Sequence, residues 1–543
     1  MAAMYLAAWG PGASSAWARA NDTSDAGSEA PAPSATAGPP LPPLPPQGDV
    51  VETIAPEGSA AATPALPPAP PAQNPDVPRD RTEFAGWARE SIEWTLAPNG
   101  AGQGTPSPYA VPHDRLISRT QLFARASYIR GRWFEATLSG VLGYSFREQS
   151  PSGNEAFDGV DGQATRGDPQ AELRELYIGL FSSHVDFRIG QQRVAWGRSD
   201  FASPNDVLNA RDLRDPILTE AELRHVPTPL VRLDFDLGAV TLQLVGTPIF
   251  VPDVYDVYGT NWAAVQADAP APIRGLFGSV SPLFDPTKQG AFDALVHDTQ
   301  LPAMNFAAPS GGIRVAAATA GADFDFYYHY GFDSTPAVSV SPSFASFLGS
   351  EAFAAFHPSD LTPVLQALDM GVQPFTAAYV RRHHIGLDAA TVAGPFALRL
   401  DAAYDTQCVY YRAADLTSLV SPTFSGVASV EYQTGDIDRV ILVEAIYTHI
   451  VDALDEAILG YDRDSIAVAG TLRWPLAGGW AIDLRGLAGI EPVSFVLQPA
   501  VRWKLNDALF LRAGAVVLAG ETDSIAWYYR DNTSAFVQGK YSF

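Results

Sequence analysis

The chain has 543 residues, of which 17% are charged and 11% aromatic, and it carries a formal net charge of -25 at pH 7. That acidity excludes a protein built to neutralise nucleic-acid phosphates, which needs a basic face, and a single cysteine, Cys408, excludes an internal disulfide or a cysteine-held metal cluster. No interior run of 18 or more apolar residues is present to cross a bilayer as a helix, so the apolar side chains are dispersed, as alternating strands disperse them.

Residues 1–18, MAAMYLAAWGPGASSAWA, carry no charge and lead to Ala18-Arg19-Ala20, the small-x-small form of a secretory cleavage site. A signal peptide is expected over 1–20, with a misassigned start codon explaining the absence of Lys or Arg near its beginning. From 21 to 82 the chain is Pro- and Ala-rich (PPLPPLPPQG, PALPPAPPAQ). It is too poor in apolar bulk to fold and is expected to be a disordered periplasmic tether biased to extended polyproline conformations.

Over 83–543 the dominant signal has period two. In WFEATLSGVLGYSF, Phe134, Ala136, Leu138, Leu142, Tyr144 and Phe146 alternate with Glu135, Thr137, Ser139 and Ser145, placing apolar groups on one face of a strand. Candidate strands lie near 86–97, 117–130, 132–147, 171–181, 184–196, 228–237, 239–249, 311–320, 322–331, 376–391, 395–405, 423–434, 436–448, 464–475, 479–490, 493–504, 507–518 and 533–543. Links after even-numbered strands are tight, such as Arg130-Gly131-Arg132, Gly435 and Leu505-Asn506, whereas most links after odd-numbered strands are long. Short turns at one end and long loops at the other are the asymmetry of a transmembrane barrel. The fold expected is therefore all-β: a transmembrane antiparallel β-barrel of about 18 strands, with 16 the alternative count, both chain ends lying on the short-turn, periplasmic side.

The terminal strand, FVQGKYSF, puts Ala535, Val537, Gly539, Tyr541 and Phe543 on one face. It resembles the C-terminal signal read by the bacterial barrel-assembly machinery, which is thus an expected partner. Trp94, Trp133, Trp474, Trp480 and Trp503 fall near strand ends, where an interfacial aromatic belt places them. Outer-membrane lipid and lipopolysaccharide are the expected surroundings.

Within the long loops, residues near 292–301 and 360–370 have Leu/Val spacing near 3.6 and read as helical pieces, either folded into the lumen or lying as lids over it. His383 and His384 are adjacent on a strand and so point to opposite faces, which argues against joint metal ligation; Arg382, His384 and Asp388 are expected in the lumen. No nucleophile elbow, H-E-x-x-H helix or phosphate loop is present. Catalytic residues, metal ligands and cofactors are therefore not expected.

The stretch GQQRVAWGRSDFASPNDVLNARDLRD, Gly190 to Asp215, gathers four Arg and four Asp at the end of strand 5 and in the loop behind it. Unpaired desolvated charges are expensive, so the reading preferred is a clasp of paired ions pinning the loop to the barrel wall, with a direct substrate site as the alternative. Candidate lumen and constriction residues are Glu175, Arg188, Gln192, Arg193, Trp196, Arg198, Asp200, Asp206, Arg211, Asp212, Arg382, His384, Arg485 and Arg502. Glu135, Asp483 and Lys504 are further charges on the inward face.

The run LRELYIGL, VDFRIGQQRVAWGRSD, NDVLNARDLRD, TPLVRLDF and GTPIFVP resembles a family of Gram-negative outer-membrane proteins catalogued only as a domain of unknown function, with a Gly-x-Gln-x-x-x-Trp-Gly core and an Asn-x-x-Asp-Leu turn. The resemblance extends weakly through LPAMNFAAPSGGIRVAA to GKYSF. Members commonly have an acidic residue where Arg198 stands and Pro where Ala210 stands. The resemblance implies a porin-like protein serving a hydrophobic or amphiphilic small molecule, alongside an inner-membrane lipid or efflux-type transporter. The function expected is a channel or transport barrel narrowed by inward-folding loops. A surface receptor or adhesion barrel with a plugged lumen is the alternative, and a barrel enzyme a more remote one.

Overall fold

The computed structural model describes residues 80–96, 115–147, 169–255, 260–264, 266, 269, 299–300, 309–319, 321–340, 375–413, 417–434, 436, 438–452, 457–522 and 524–543. Eighteen antiparallel strands form its wall. They are β1 (Asp80–Thr95), β2 (Leu116–Arg130), β3 (Phe134–Arg147), β4 (Pro169–Phe181), β5 (Val185–Gln192) and β6 (Thr228–Asp236). Next come β7 (Val240–Thr247), β8 (Ser310–Ala318), β9 (Ala322–Phe332), β10 (Arg381–Ala393), β11 (Phe396–Tyr411) and β12 (Ser418–Tyr432). The last six are β13 (Val440–Ile450), β14 (Asp464–Pro475), β15 (Trp480–Glu491), β16 (Val493–Lys504), β17 (Leu509–Gly520) and β18 (Ser534–Ser542).

Each wall strand pairs with the next, and β18 returns to β1 with Trp87 opposite Ser542 and Thr95 opposite Ser534. Closure gives every wall strand two neighbours, which a bilayer demands because it offers no water to an open edge. The alternation places apolar groups outside: on β3, Leu138 and Leu142 are 51% and 57% exposed while Thr137 and Ser139 are 2% and 1%. Trp94, Trp133, Trp474, Trp480 and Trp503 all lie exposed on the outer face, and Trp480 stacks on Trp503 at 5.2 Å. The chain is thus a transmembrane β-barrel, apolar outside and polar within, with Asp80 and Phe543 at its short-turn end: Asp80 faces Arg130, and the Ser542 amide bonds the Ala508 carbonyl.

Four expectations change in detail. The strand expected at 376–391 is two elements: Phe375–Ala378 pairs with Ala337–Val340 in a small separate sheet, and the wall strand begins at Arg381 opposite Phe332. Between them Tyr379 leaves the wall to pack on Phe250, ring centroids 4.6 Å apart. The strand expected at 184–196 stops at Gln192, where the chain turns inward. Where a turn at Gly435 is expected, a position outside the described residues, β12 ends at Tyr432 and β13 begins only at Val440. Finally, β11 and β12 run on to Tyr411 and from Ser418 into what reads as loop, with a register shift between Asp405 and Cys408. Cys408 is buried there with Tyr410, Ile450, Ile458 and Tyr461. Of the helical pieces, Thr299–Gln300 is a strand paired in parallel with Ala377–Ala378; the rest of 292–301, all of 360–370, and residues 1–79 lie outside the described residues.

Candidate functional site in the barrel lumen

The link from β5 to β6, residues 193–227, folds into the barrel rather than over it. Gly197 makes the entry turn at φ +83°, where a Cβ would lie 1.7 Å from Ser203 Oγ; only glycine fits this left-handed, crowded position. Trp196 is buried against Tyr327, ring centroids 5.2 Å apart, and its Nε1 donates to Gln243 Oε1 at 2.7 Å. Asn209 ties the neck of the segment: its Oδ1 accepts from the Val194 amide at 2.8 Å and its Nδ2 donates to the Gln192 carbonyl and Thr228 Oγ1, both at 3.3 Å.

From the neck one arm reaches β7 and β9–β13. Arg198 donates to Asp388 at 2.6 Å and Asp325 at 3.0 Å, and lies 3.5 Å from Asp323. Asp401 accepts from the amides of Arg198 and Ser199 and from Ser203 Oγ, while Glu444 accepts from the amides of Asp200 (2.6 Å) and Phe201 (2.8 Å). Asp200 in turn takes Arg399 at 2.5 Å, and Arg399 also pairs with Glu431. Successive backbone N–H groups aimed at wall carboxylates form a nest, the arrangement by which a turn holds an anion. Asn205 Nδ2 reaches the Leu387 carbonyl at 3.1 Å.

The other arm crosses toward β18, β1 and β2. Asp215 pairs with Arg119, and Arg89 donates to the Leu218 carbonyl (2.8 Å) and to Glu220 (2.9 Å). Glu220 also takes Lys540 at 2.9 Å. Arg174 of β4 donates to the carbonyls of Glu222, Leu223 and His225. Between the arms, Ala210–Arg211 pairs with His225–Val226 as a short ribbon. Buried His225 bonds Asp206 at 2.8 Å; burial holds its pKa below the ordinary value, against the pull of Asp206. Burial alone would raise the Asp212 carboxyl, but Arg214, 2.6 Å away, outweighs it and holds that group below its usual range.

Arg198, Asp200, Asp206, Arg211, Asp212, Trp196 and Gln192 thus come together in one inward segment, beside Arg193. The Arg211 amide donates to Asp253 at 2.8 Å. Arg382 and His384 sit on the β10 wall, both near Asp405, with His384 Nδ1 at 3.0 Å and Arg382 Nε at 3.4 Å. Glu175 and Arg188 lie lower on β4 and β5, where Glu175 accepts from Ser139 and Arg188 rests over the Phe181 ring at 5.2 Å. Arg485 and Arg502 lie across the barrel on β15 and β16. They join Arg473, bonded to Asp483 at 2.7 Å, and Arg512, 3.7 Å from the same carboxylate; Arg502 covers the Phe510 ring at 4.3 Å. Sequence reading missed Glu220 within the segment and the wall partners Asp325, Asp401, Arg399, Glu444, Arg89 and Arg119. The signal of the wall partners was a charge at an inward, period-two position, as in DFDFYYH, LRLDAA and VEA.

A second link, from β7 to β8, reaches across the mouth: Asn532 Nδ2 donates to the Asn261 carbonyl at 2.6 Å, Tyr528 OH to the Ala264 carbonyl at 2.8 Å, and Trp262 packs on Tyr529. Among the described residues no group of three or more His, Cys, Asp or Glu side chains has metal-holding geometry.

Residues 123–543 match the model of a family described as a protein of unknown function (DUF1302). The chain belongs to that family. No curated protein matches it. Among solved structures this DUF1302 member is similar to OccK5 (OpdH) of Pseudomonas aeruginosa, at 9% identity over 85% of this chain and 98% of that one, with a TM-score of 0.43. It is similar to OmpF of Salmonella typhi in complex with daunomycin, at 9% identity over 86% and 98%, with a TM-score of 0.37. A mutant porin of Rh. blastica aligns at 10% identity over 85% and 100%, with a TM-score of 0.33.

Proposed function

We propose that this protein is a porin-like channel of the outer membrane of a Gram-negative bacterium, exported by its N-terminal segment and inserted by the barrel-assembly machinery through the strand ending at Phe543. Lipopolysaccharide and outer-membrane lipid surround it. Its passage is narrowed by residues 193–227 and runs between that segment and the β14–β17 wall, where Arg473, Arg485 and Arg512 cluster about Asp483 and Arg502 lies opposite Arg512. The observation that carries this reading is the inward segment itself. The wall anchors of its two arms fall on β18–β2, β4 or β7–β13, and the anchoring charges are buried, so the segment is a fixed part of the lumen rather than a surface loop. Eighteen strands enclose more room than side chains alone fill, and fixed charges along a pore set which solutes pass.

The cargo proposed is a small hydrophobic or amphiphilic molecule, handed on to or from an inner-membrane lipid or efflux-type transporter. Purified protein in planar bilayers is expected to give discrete conductance steps; silence at all voltages overturns the channel reading.

The second reading is a receptor or adhesion barrel with a plugged lumen. It is favoured by the completeness of burial in the inward segment, where Ser199, Ser203 and Asn205 have no exposed surface. Solute exclusion in swelling assays together with saturable surface binding would select it.

A further inference from the structure

The wall is incomplete where β5 turns inward. β4 is 13 residues long and β5 only eight, and they pair from Phe181–Asp186 up to Leu176–Gln191. Above that, β4 keeps its bonds to β3 as far as Tyr144–Pro169, but β5 has turned inward. Among the described residues the upper half of β4 therefore has a strand neighbour on one side only. A bilayer makes such an edge costly, because its carbonyls meet no water.

Two features treat this edge as a seam. Gln191 alternates with Val185, Phe187 and Ile189 on the outward face of β5, and its Nε2 donates to the carbonyls of Leu173 (3.1 Å) and Arg174 (2.9 Å). A glutamine among lipid-facing apolar groups thus stands in for the missing strand. At the same level the β3–β4 register shifts, passing from Ser139–Glu175 to Gly140–Leu173 and leaving Arg174 without an opposite residue. Such a bulge re-aims a side chain: Arg174 turns inward to hold the carbonyls of Glu222, Leu223 and His225. Outside the seam Leu173 and Leu176 are 48% and 53% exposed. Inside it lies the folded segment, and the mouth above is bridged from Asn261 to Asn532.

We propose that the seam above Gln191, between upper β4 and the neck of the inward segment, is a lateral port joining the lumen to the lipid leaflet. Its ligand is an amphiphile, with an apolar body that stays in the leaflet along Leu173 and Leu176 and a polar head that enters the polar interior. Gln191 is the outer latch and Arg174, through residues 222–225, the inner one. The proposal rests on the channel reading and specifies its route.

The test uses the full chain carrying Cys408→Ala with Gln191→Cys, and as a control Cys408→Ala with Leu497→Cys, a lipid-facing position on β16. Both are folded into liposomes and then labelled with a bulky maleimide, so folding precedes the modification. Two readouts are taken: transfer of a dansylated long-chain carboxylic acid from the leaflet to albumin trapped inside, and potassium chloride conductance. Label at 191 is expected to abolish transfer while conductance persists, and label at 497 to change neither. Transfer that survives the 191 label, that is lost equally with the 497 label, or that is lost together with conductance overturns the port. Unlabelled protein that conducts ions but transfers no probe overturns the port and leaves the channel reading standing; protein that does neither overturns both.

Discussion

Arg198 and Asp388, 190 residues apart in the chain, form a buried ion pair at 2.6 Å, and the Arg198 guanidinium also bonds Asp325 at 3.0 Å. The Tyr327 hydroxyl bonds Asp388 as well, and Arg314 of β8 bonds Asp325 at 2.8 Å, so one loop cation, one wall cation and one wall phenol hold the two carboxylates. This pairing fastens the inward segment to β9 and β10.

Removing the cation while leaving the carboxylates is the damaging change. Arg198→Met is expected to cost about 3–5 kcal/mol, the usual effect of stranding a buried charge. The heat needed to unfold the barrel on semi-native gels should fall accordingly. Adding Asp388→Asn to Arg198→Met should recover most of the loss, because Asp325 keeps its pairing with Arg314 at 2.8 Å; a double variant as labile as the single one would contradict the pairing.

Glu444 reads differently, since it holds the turn through backbone amides. Glu444→Ala leaves the N–H groups of Asp200 and Phe201 without their carboxylate, at about 1–3 kcal/mol for a buried hydrogen-bond loss. The far tip of the segment should loosen and single-channel conductance should rise or become noisy. Unchanged conductance with lowered stability would mean that this tip does not border the passage.

Gly197 offers a steric test. An added Cβ would meet Ser203 Oγ at 1.7 Å and Asp401 Oδ2 at 2.9 Å on a left-handed backbone. Gly197→Ala should prevent the segment from entering and yield little folded protein, whereas Gly246→Ala, with nothing within 4 Å of its Cβ, should fold normally.

Acid should weaken the segment through His225. Its folded-state pKa lies below the ordinary value because burial disfavours the cation, so the unfolded chain binds a proton first as pH falls. The stability attached to this group is fully present above its unfolded value, about 6.5, and is lost below it. The unfolding temperature should drop between pH 7.5 and 5, and His225→Gln should shrink that drop. An equal drop in the variant would show that other groups govern the acid response.

Much of this architecture was legible in the sequence because its signals are local. Period-two alternation reports which face of a strand meets lipid, and the residues between alternating runs report which end turns tightly. Both survive without knowledge of partners, so β14 and β16 were read at Asp464–Pro475 and Val493–Lys504 as they occur. The misreadings fall where strands stop obeying the wall: at Arg193–Trp196, where alternation continues by composition while the backbone turns inward, and at Phe375–Ala378, which has strand character but pairs elsewhere.

The charges of the inward segment were visible as a cluster, and their density predicted pairing. With whom they pair was not visible. Asp200 meets Glu444 through its amide across 244 positions, and Arg89 meets Glu220 across 131. A sequence by itself determines the sign and spacing of such groups and the face each one takes on its strand, because these depend on neighbours in the chain. Only closure of the barrel decided which wall carboxylate lies within hydrogen-bond reach of which loop cation, because that distance depends on strand register and on the inward path begun at Gly197.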